Sequence, residues 1–183
     1  MEMEKNLENK IEVSVMSVSS FSEEALEDIL QLEKKCFPEE WQYDDAVEYY
    51  GEMLEKAENI NIFLKEADKT VGYVLARPCD EELAGELRKD DKGMTSEPDV
   101  FYIETIQVLP EKRGMGGAKK LLIAVVAEAE KRGVEKFSIH ARTVNGFHDK
   151  IKKIFEGRIK TVRQIEKWKP AANEPYEYIE WHK

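Results

Sequence analysis

Arg113-Gly-Met-Gly-Gly-Ala118 lies between an apolar run, Val100 to Leu109, and a helix-patterned run, Ala118 to Arg132. A strand, a glycine-dense turn and a helix start, in that order, make an anion site. Glycines remove the Cβ atoms that keep a ligand away from the backbone. The first turn of the helix presents unpaired N–H groups and the positive end of its dipole. Arg113 adds a fixed positive charge. The stretch reads as a phosphate-holding loop, set against the plainer reading of a tight strand-to-helix connection with no ligand.

Three glycine-loop types can be tested against these letters. A Walker A loop needs Gly-x-x-x-x-Gly-Lys-Ser/Thr, which the chain lacks. A dinucleotide fingerprint would begin at Gly114-x-Gly116, but its third small position falls on Lys119. The next strand-like run ends near His140 and Arg142, where an acidic ribose ligand is wanted. The third pattern, Gln/Arg-x-x-Gly-x-Gly/Ala, is met by Arg113, Gly116 and Ala118. With it the chain resembles the GCN5-related N-acetyltransferase (GNAT) superfamily, whose members use this loop to hold the pyrophosphate of acetyl-coenzyme A.

Downstream of the loop, Ala118, Leu121, Leu122, Val125 and Ala129 form an i, i+3, i+4, i+7 stripe, and Gly133 closes the helix as a C′ glycine. Lys136 to Ala141 reads as a strand. Phe147, Ile151, Ile154 and Phe155 line a further helix ended by Gly157, and Arg158–Lys167 and Tyr176–Trp181 read as two final strands. Upstream, Ile11 to Val18 alternates with the period of a half-buried strand. Ser20-x-x-Glu23 offers a capping box, with Ser22 as the competing cap. The helix that follows carries Leu26, Ile29, Leu30 and Glu33 and stops near Cys36 before Phe37-Pro38. A second helix, Asp44 to about Ala57, has Val47, Tyr50, Leu54 and Ala57 at helical spacing. Asn61–Lys65 and Thr70–Arg77 make an antiparallel hairpin.

Residues 78–99 form a charged break, read as a mobile solvated loop or a binding loop, with room for a short helix over 81–89. The element order is β α α β β β α β α β β, an α/β chain of mixed α+β character. That is also the order of the superfamily fold. The resemblance, from Ile11 to Trp181, implies a central splayed mixed sheet of about seven strands with helices on both faces.

At 183 residues the chain is expected to fold as one domain over 11–183, after a flexible lead-in at 1–10. Its 42% hydrophobic and 36% charged residues describe a soluble globular protein, and no apolar run reaches the roughly 18 residues of a membrane span. The polar, acidic start is unlike a signal peptide. Cys36 and Cys79 are too few for a disulfide scaffold or a structural zinc site, so a reduced, cytoplasmic setting is expected. Cys36 reads as a small buried apolar residue rather than a nucleophile. A net charge of −10 opposes nucleic-acid binding and would draw cationic amines.

An N-acetyltransfer needs a held thioester, a deprotonated amine, donors for the oxyanion and a proton for the leaving thiolate. The resemblance places the pyrophosphate on Arg113, Gly114, Met115, Gly116, Gly117 and Ala118. It places the pantetheine arm along the backbone of Ile106, Gln107 and Val108, with Val108-x-Pro110 matching the common Val-x-Pro. A backbone amide at a bulge in that strand is the family's usual carbonyl polariser. Asn145, after Phe137-x-Ile139-x-Ala141, is the next cofactor contact, a role compatible with capping a helix.

Glu104 is the candidate base, because a carboxylate inside the apolar run Tyr102-Ile-Glu-Thr-Ile106 is costly to bury unpaired. Partial burial would raise its pKa into a useful range. Tyr102, two residues away, is an accessory candidate. Glu39, Glu40 and Trp41 could meet a cationic acceptor by charge and ring face, against the reading of a solvated turn with a core tryptophan. The chain departs from the family at Lys152, where many members carry the tyrosine acid. The acid stays open between water, His140, His148 and a tyrosine of the last hairpin, although His140 reads first as a structural histidine.

The expected activity is acetyl-coenzyme A-dependent acetylation of a primary amine on a small molecule or peptide, by a monomer or homodimer. No metal, nucleic acid or membrane is implied. A non-catalytic acyl-coenzyme A-binding module and a protein lysine or N-terminal acetyltransferase are the alternatives.

Overall fold

The computed structural model describes residues 13–169 and 173–183; the expected lead-in at 1–10, Ile11 and residues 170–172 lie outside them. Strand β1 (Val13–Val18) leads to α1 (Glu23–Cys36), whose first turn is capped by Ser22, its hydroxyl accepting from the Ala25 N–H at 3.3 Å. Between the two competing serines, the one adjacent to the helix wins. A 3-10 turn (Glu39–Trp41) precedes α2 (Ala46–Glu55). The hairpin β2 (Ile60–Glu66) and β3 (Lys69–Cys79) follows, then α3 (Glu81–Leu87) and the long strand β4 (Glu97–Val108). Helix α4 (Gly117–Lys131), β5 (Lys136–Arg142), α5 (Phe147–Ile154), β6 (Ile159–Trp168) and β7 (Glu174–His182) complete the described chain.

The seven strands form one sheet in the order β1-β2-β3-β4-β5-β7-β6. Every neighbouring pair is antiparallel except β4 and β5. That parallel pair runs only from Val100↔Lys136 to Ile103↔Ile139. Beyond Ile103 and Ile139 the two strands separate, and the sheet opens as a splay. A large core of buried apolar residues from β2, β3, α1, α2 and α4 fills the β1–β4 half, reaching across to Phe137, Ile151 and Trp181. A second cluster joins Leu83, Leu87 and Met94 to Tyr102, Trp168 and Tyr178.

Two expectations need correction. Val47 does not lie on the buried stripe of α2: it is 63% exposed, and the inward residues are Tyr50, Met53 and Leu54, with Ala46 and Tyr49 packed beside them. Tyr50 and Leu54 lie inward as expected, whereas Ala57 is exposed beyond the end of the helix; Tyr43 and Tyr49 pair with ring centroids 4.6 Å apart. The break at 78–99 is also shorter and more ordered in pattern than expected. β3 continues through Pro78, which is tolerated because β2 pairing has already ended at Ile60↔Ala76 and only β4 flanks it there. β4 begins at Glu97, and α3 starts from Asp80, whose carboxylate accepts from the Leu83 N–H at 2.9 Å.

Candidate active site

The glycine loop lies where β4 ends. Gly114 and Gly116 both have φ of +84°, the left-handed region, and a Cβ added at either would meet nothing within 4 Å. Gly116 caps α4 with no side-chain bond, and the first intrahelical acceptance at this end is Lys120 N–H to Gly116 carbonyl, 3.0 Å. The N–H groups of Gly117, Ala118 and Lys119 therefore face outward at an exposed helix end. Gly117 has a different reason to be glycine: a Cβ would come within 2.9 Å of the Leu64 side chain. Its smallness lets α4 approach the sheet. Arg113 folds back so that its Nε donates to the Val108 carbonyl at 3.1 Å, and Met115 is 59% exposed. These features fit a diphosphate: open left-handed glycines, orphan helix N–H groups and a guanidinium beside them.

The same strand carries the carboxylate. In the β3–β4 register Leu75 pairs with Thr105 and Ala76 with Ile103, so Glu104 is the extra residue of a β-bulge. It is also the first residue of β4 beyond the last β5 pair. From Glu104 to Val108, including Ile106 and Gln107, the β5-facing edge of the backbone has no strand partner among the described residues, as an extended arm would require. Glu104 Oε1 accepts a hydrogen bond from the Tyr49 hydroxyl, while Oε2 is buried with no partner among the described residues. Burial pushes the Glu104 pKa above the ordinary carboxylate value; the Tyr49 bond and the Arg77 charge pull the other way. The arrangement is a carboxylate that takes up a proton readily, at the mouth of an opening in the sheet.

Asn145 precedes Gly146, the cap residue of α5, and its Oδ1 accepts from the Phe147 N–H at 3.0 Å. That bond uses only the acceptor half of the amide, leaving the donor half for another role. Lys152, on the same helix, is 2.9 Å from Glu177, a buried carboxylate of β7 that also accepts from Gln164. An ion pair thus stands where an acid hydroxyl was sought. Glu39 and Glu40 are exposed on the 3-10 turn. The Trp41 ring already has a cation over it, the Arg142 guanidinium at 5.0 Å, itself paired with Glu174.

Tyr102 is buried. Its hydroxyl lies 2.9 Å from His140 Nδ1, and His140 Nε2 lies 3.1 Å from Asp91. Sequence reasoning missed Asp91 and Tyr49. Asp91 sits in a run of charges with nothing to set it apart from Asp90. Tyr49 could have been found, because Ala46, Tyr49, Tyr50, Met53 and Leu54 are spaced i, i+3, i+4, i+7, i+8. Among the described residues no three His, Cys, Asp or Glu side chains converge as a metal site.

A model of the acetyltransferase (GNAT) family matches residues 26–149. No curated protein sequence matches the chain. Among solved structures, Arabidopsis thaliana NAA60 in complex with acetyl-CoA superposes with a TM-score of 0.67 at 17% identity, covering 93% of this chain and 100% of that one. Arabidopsis thaliana Naa50 with the bisubstrate analogue CoA-Ac-MVNAL gives 0.62 at 20% identity, with 93% and 99% covered. AAC(6')-Iy with the bisubstrate analogue CoA-S-monomethyl-acetylneamine gives 0.59 at 22% identity, with 78% and 88% covered. At these identities the likeness concerns the fold: the splayed mixed sheet with helices on both faces.

Proposed function

The chain belongs to the acetyltransferase (GNAT) family, and from that premise we propose that it transfers the acetyl group of acetyl-coenzyme A to a primary amine by direct attack in a ternary complex. The observation that carries this reading is Glu104: a buried, bulged carboxylate at the mouth of the splay, on the strand that leads into the glycine loop.

Acetyl-coenzyme A supplies the acetyl group as a thioester. Arg113, Gly114, Met115, Gly116, Gly117 and Ala118 hold its diphosphate by backbone N–H groups and one guanidinium. Ile106, Gln107 and Val108 offer an unpaired backbone edge to the arm, and Asn145 offers its amide. An amine arrives protonated, since a lysine-like ammonium has a pKa of roughly 10.4. Glu104 accepts that proton, directly or through water, and the freed lone pair attacks the carbonyl. The C–S bond breaks as the C–N bond forms, and coenzyme A leaves as a thiolate that takes up the second proton shed by the nitrogen. Tyr49 holds the carboxylate in place through Oε1 and leaves Oε2 for the proton.

Glu39 and Glu40 lie in an acidic stretch that continues through Asp44, Asp45, Glu48 and Glu52. That charge favours a cationic acceptor. The two bisubstrate analogues held by the neighbours join coenzyme A to unlike acceptors, which supports an amine class rather than one amine. Lys152, tied to Glu177, favours a second reading: a relative that binds acyl-coenzyme A without turnover.

Calorimetric titration with acetyl-coenzyme A, followed by thiol-release assays over small amines and peptides, tests the proposal. Binding with turnover supports it, and binding without turnover on any amine selects the second reading. Absence of binding reduces Arg113–Ala118 to a turn. Gly116→Asp should remove cofactor binding, because aspartate is strained at positive φ and repels a diphosphate.

A further inference from the structure

Two residues past the 3-10 turn, Tyr43 is 46% exposed, yet both of its backbone groups are held. Its N–H donates to Glu33 Oε1 at 2.9 Å, and its carbonyl accepts from the Ala46 N–H at 3.3 Å. Glu33 is itself buried, at 2% exposure. Burying a carboxylate is costly, and here it fixes an open aromatic residue. One face of the Tyr43 ring packs on Tyr49, centroids 4.6 Å apart and 31° from parallel, while Tyr50 meets it edge to face at 6.0 Å. The face away from Tyr49 is left to solvent.

Three other rings of the chain already carry a guanidinium: Trp41 has Arg142 at 5.0 Å, Phe155 has Arg158 at 5.4 Å and Tyr178 has Arg163 at 4.0 Å. Among the described residues no cation lies over Tyr43. Burial and the nearby Glu104 charge push its phenol up to about 12. The hydroxyl is thus the inward end, and the ring is the open part. The charged groups that act on this hydroxyl are Glu104, Glu33 and Asp45, all carboxylates. Asp44 and Glu48, close by in the chain, are exposed. An open ring face among carboxylates attracts a cation.

Tyr49 joins this ring to the base. Its own ring packs on Tyr43 and its hydroxyl bonds Glu104, so the Tyr43 ring and the carboxylate lie within about 10 Å of each other. The nitrogen that attacks must first lose its proton, so a ring contact made to its charge would be lost before the reaction. A second cation on the same molecule keeps its charge throughout. We infer that the open face of Tyr43 binds a second cationic group of the acceptor, a few carbons from the reacting amine. Tyr43 is then a specificity-determining residue that favours diamines and larger polycationic amines over monoamines. The inference rests on the reading of Glu104 as the base for an amine acceptor. Because the second charge is present in ground state and transition state alike, the contact acts on KM and leaves kcat in place.

Choline and its neutral carbon isostere dimethylbutanol, titrated into the full chain and followed by the ring resonances of Tyr43, test the site without turnover. Choline should shift those resonances, and the isostere should not. Tyr43→Phe keeps the ring and should keep the binding. Tyr43→Leu keeps bulk without a ring and should weaken choline by about two- to fivefold. Steady-state assays with putrescine and butylamine give the second readout. Tyr43→Leu should raise the putrescine KM by a similar factor while the butylamine KM stays behind, and Tyr43→Phe should hold the wild-type ratio of the two.

Equal binding of choline and its isostere, or no shift at Tyr43, overturns the inference even if Tyr43→Leu does not fold. So does a folded Tyr43→Leu in which KM rises alike for both amines or for neither, since a merely structural residue would not separate them. Choline seated on Tyr43 in a protein with no turnover on any amine would condemn the base reading and leave the cation site standing. Turnover of both amines with no choline at Tyr43 would do the reverse.

Discussion

Glu104 and Asp91 are both carboxylates with buried side-chain oxygens, and they behave in opposite ways. Glu104 has one hydroxyl donor and an unpartnered oxygen, so burial wins and its pKa rises. Asp91 has His140, Arg163 and a backbone N–H, so donors win over burial and its pKa falls. The local count of donors, rather than depth, decides which carboxylate is available to chemistry and which is a fixed charge. The first sits on the bulge of β4; the second is locked between β5 and β6.

The largest expected effect breaks the first member of the pair. Glu104→Gln should lower turnover by about 100- to 10,000-fold while leaving the acetyl-coenzyme A affinity of the loop unchanged; turnover at wild-type level removes Glu104 from the mechanism. Next is the second member. Asp91→Ala strands a buried histidine and a guanidinium, and should cost about 3–5 kcal/mol in denaturant unfolding.

The signs of the two pKa shifts sharpen the contrast further. A depressed carboxyl contributes stability that is present above its unfolded value, about 3.9, and lost as pH falls toward the folded one. The melting temperature gap between wild type and Asp91→Asn should therefore shrink below about pH 4. A raised carboxyl does the reverse: it opposes folding once pH rises through the folded value. Glu104→Gln should accordingly melt at or above the wild type at neutral pH, and a clear loss would mean the carboxylate is better solvated than its surroundings imply. The smallest effect belongs to Tyr49→Phe. Losing a donor to Oε1 should move the acid limb of turnover to higher pH, with a few-fold loss of rate on the acid side.

The parts of the fold that were legible in the sequence are those with local causes. The α4 stripe from Ala118 to Ala129, the Pro110 stop and the serine cap of α1 each depend on residues within a turn or two of one another. Glycines at 114 and 116 were legible as a loop free of Cβ atoms, and the fold places both at positive φ. What failed was the edge of the α2 stripe, and distance. Val47 and Tyr49 are two apolar or aromatic residues on one short helix, and only the sheet beneath α2 decides which turns inward. Glu104 was recognisable as a carboxylate in an apolar strand, but its bulge depends on Leu75 and Ala76 of another strand. Asp91 has no local signature at all, because its partners come from residues 140 and 163.

The strand order also sets a timetable for a chain emerging from the ribosome. β1 follows no partner, but β2, β3 and β4 each close on strands already made. β5 then gains four residue pairs from β4, and its other edge stays bare through the synthesis of α5 and β6. β6 cannot cover it, since β7 lies between the two and is β6's only strand partner among the described residues. Until Glu174–His182 arrives, the β5 edge and the apolar side of β6 around Ile165 and Trp168 are open to other chains. A late-arriving strand that must thread between two waiting ones makes the second half of this sheet the place where crowding, heat or a truncated message would first turn folding into association.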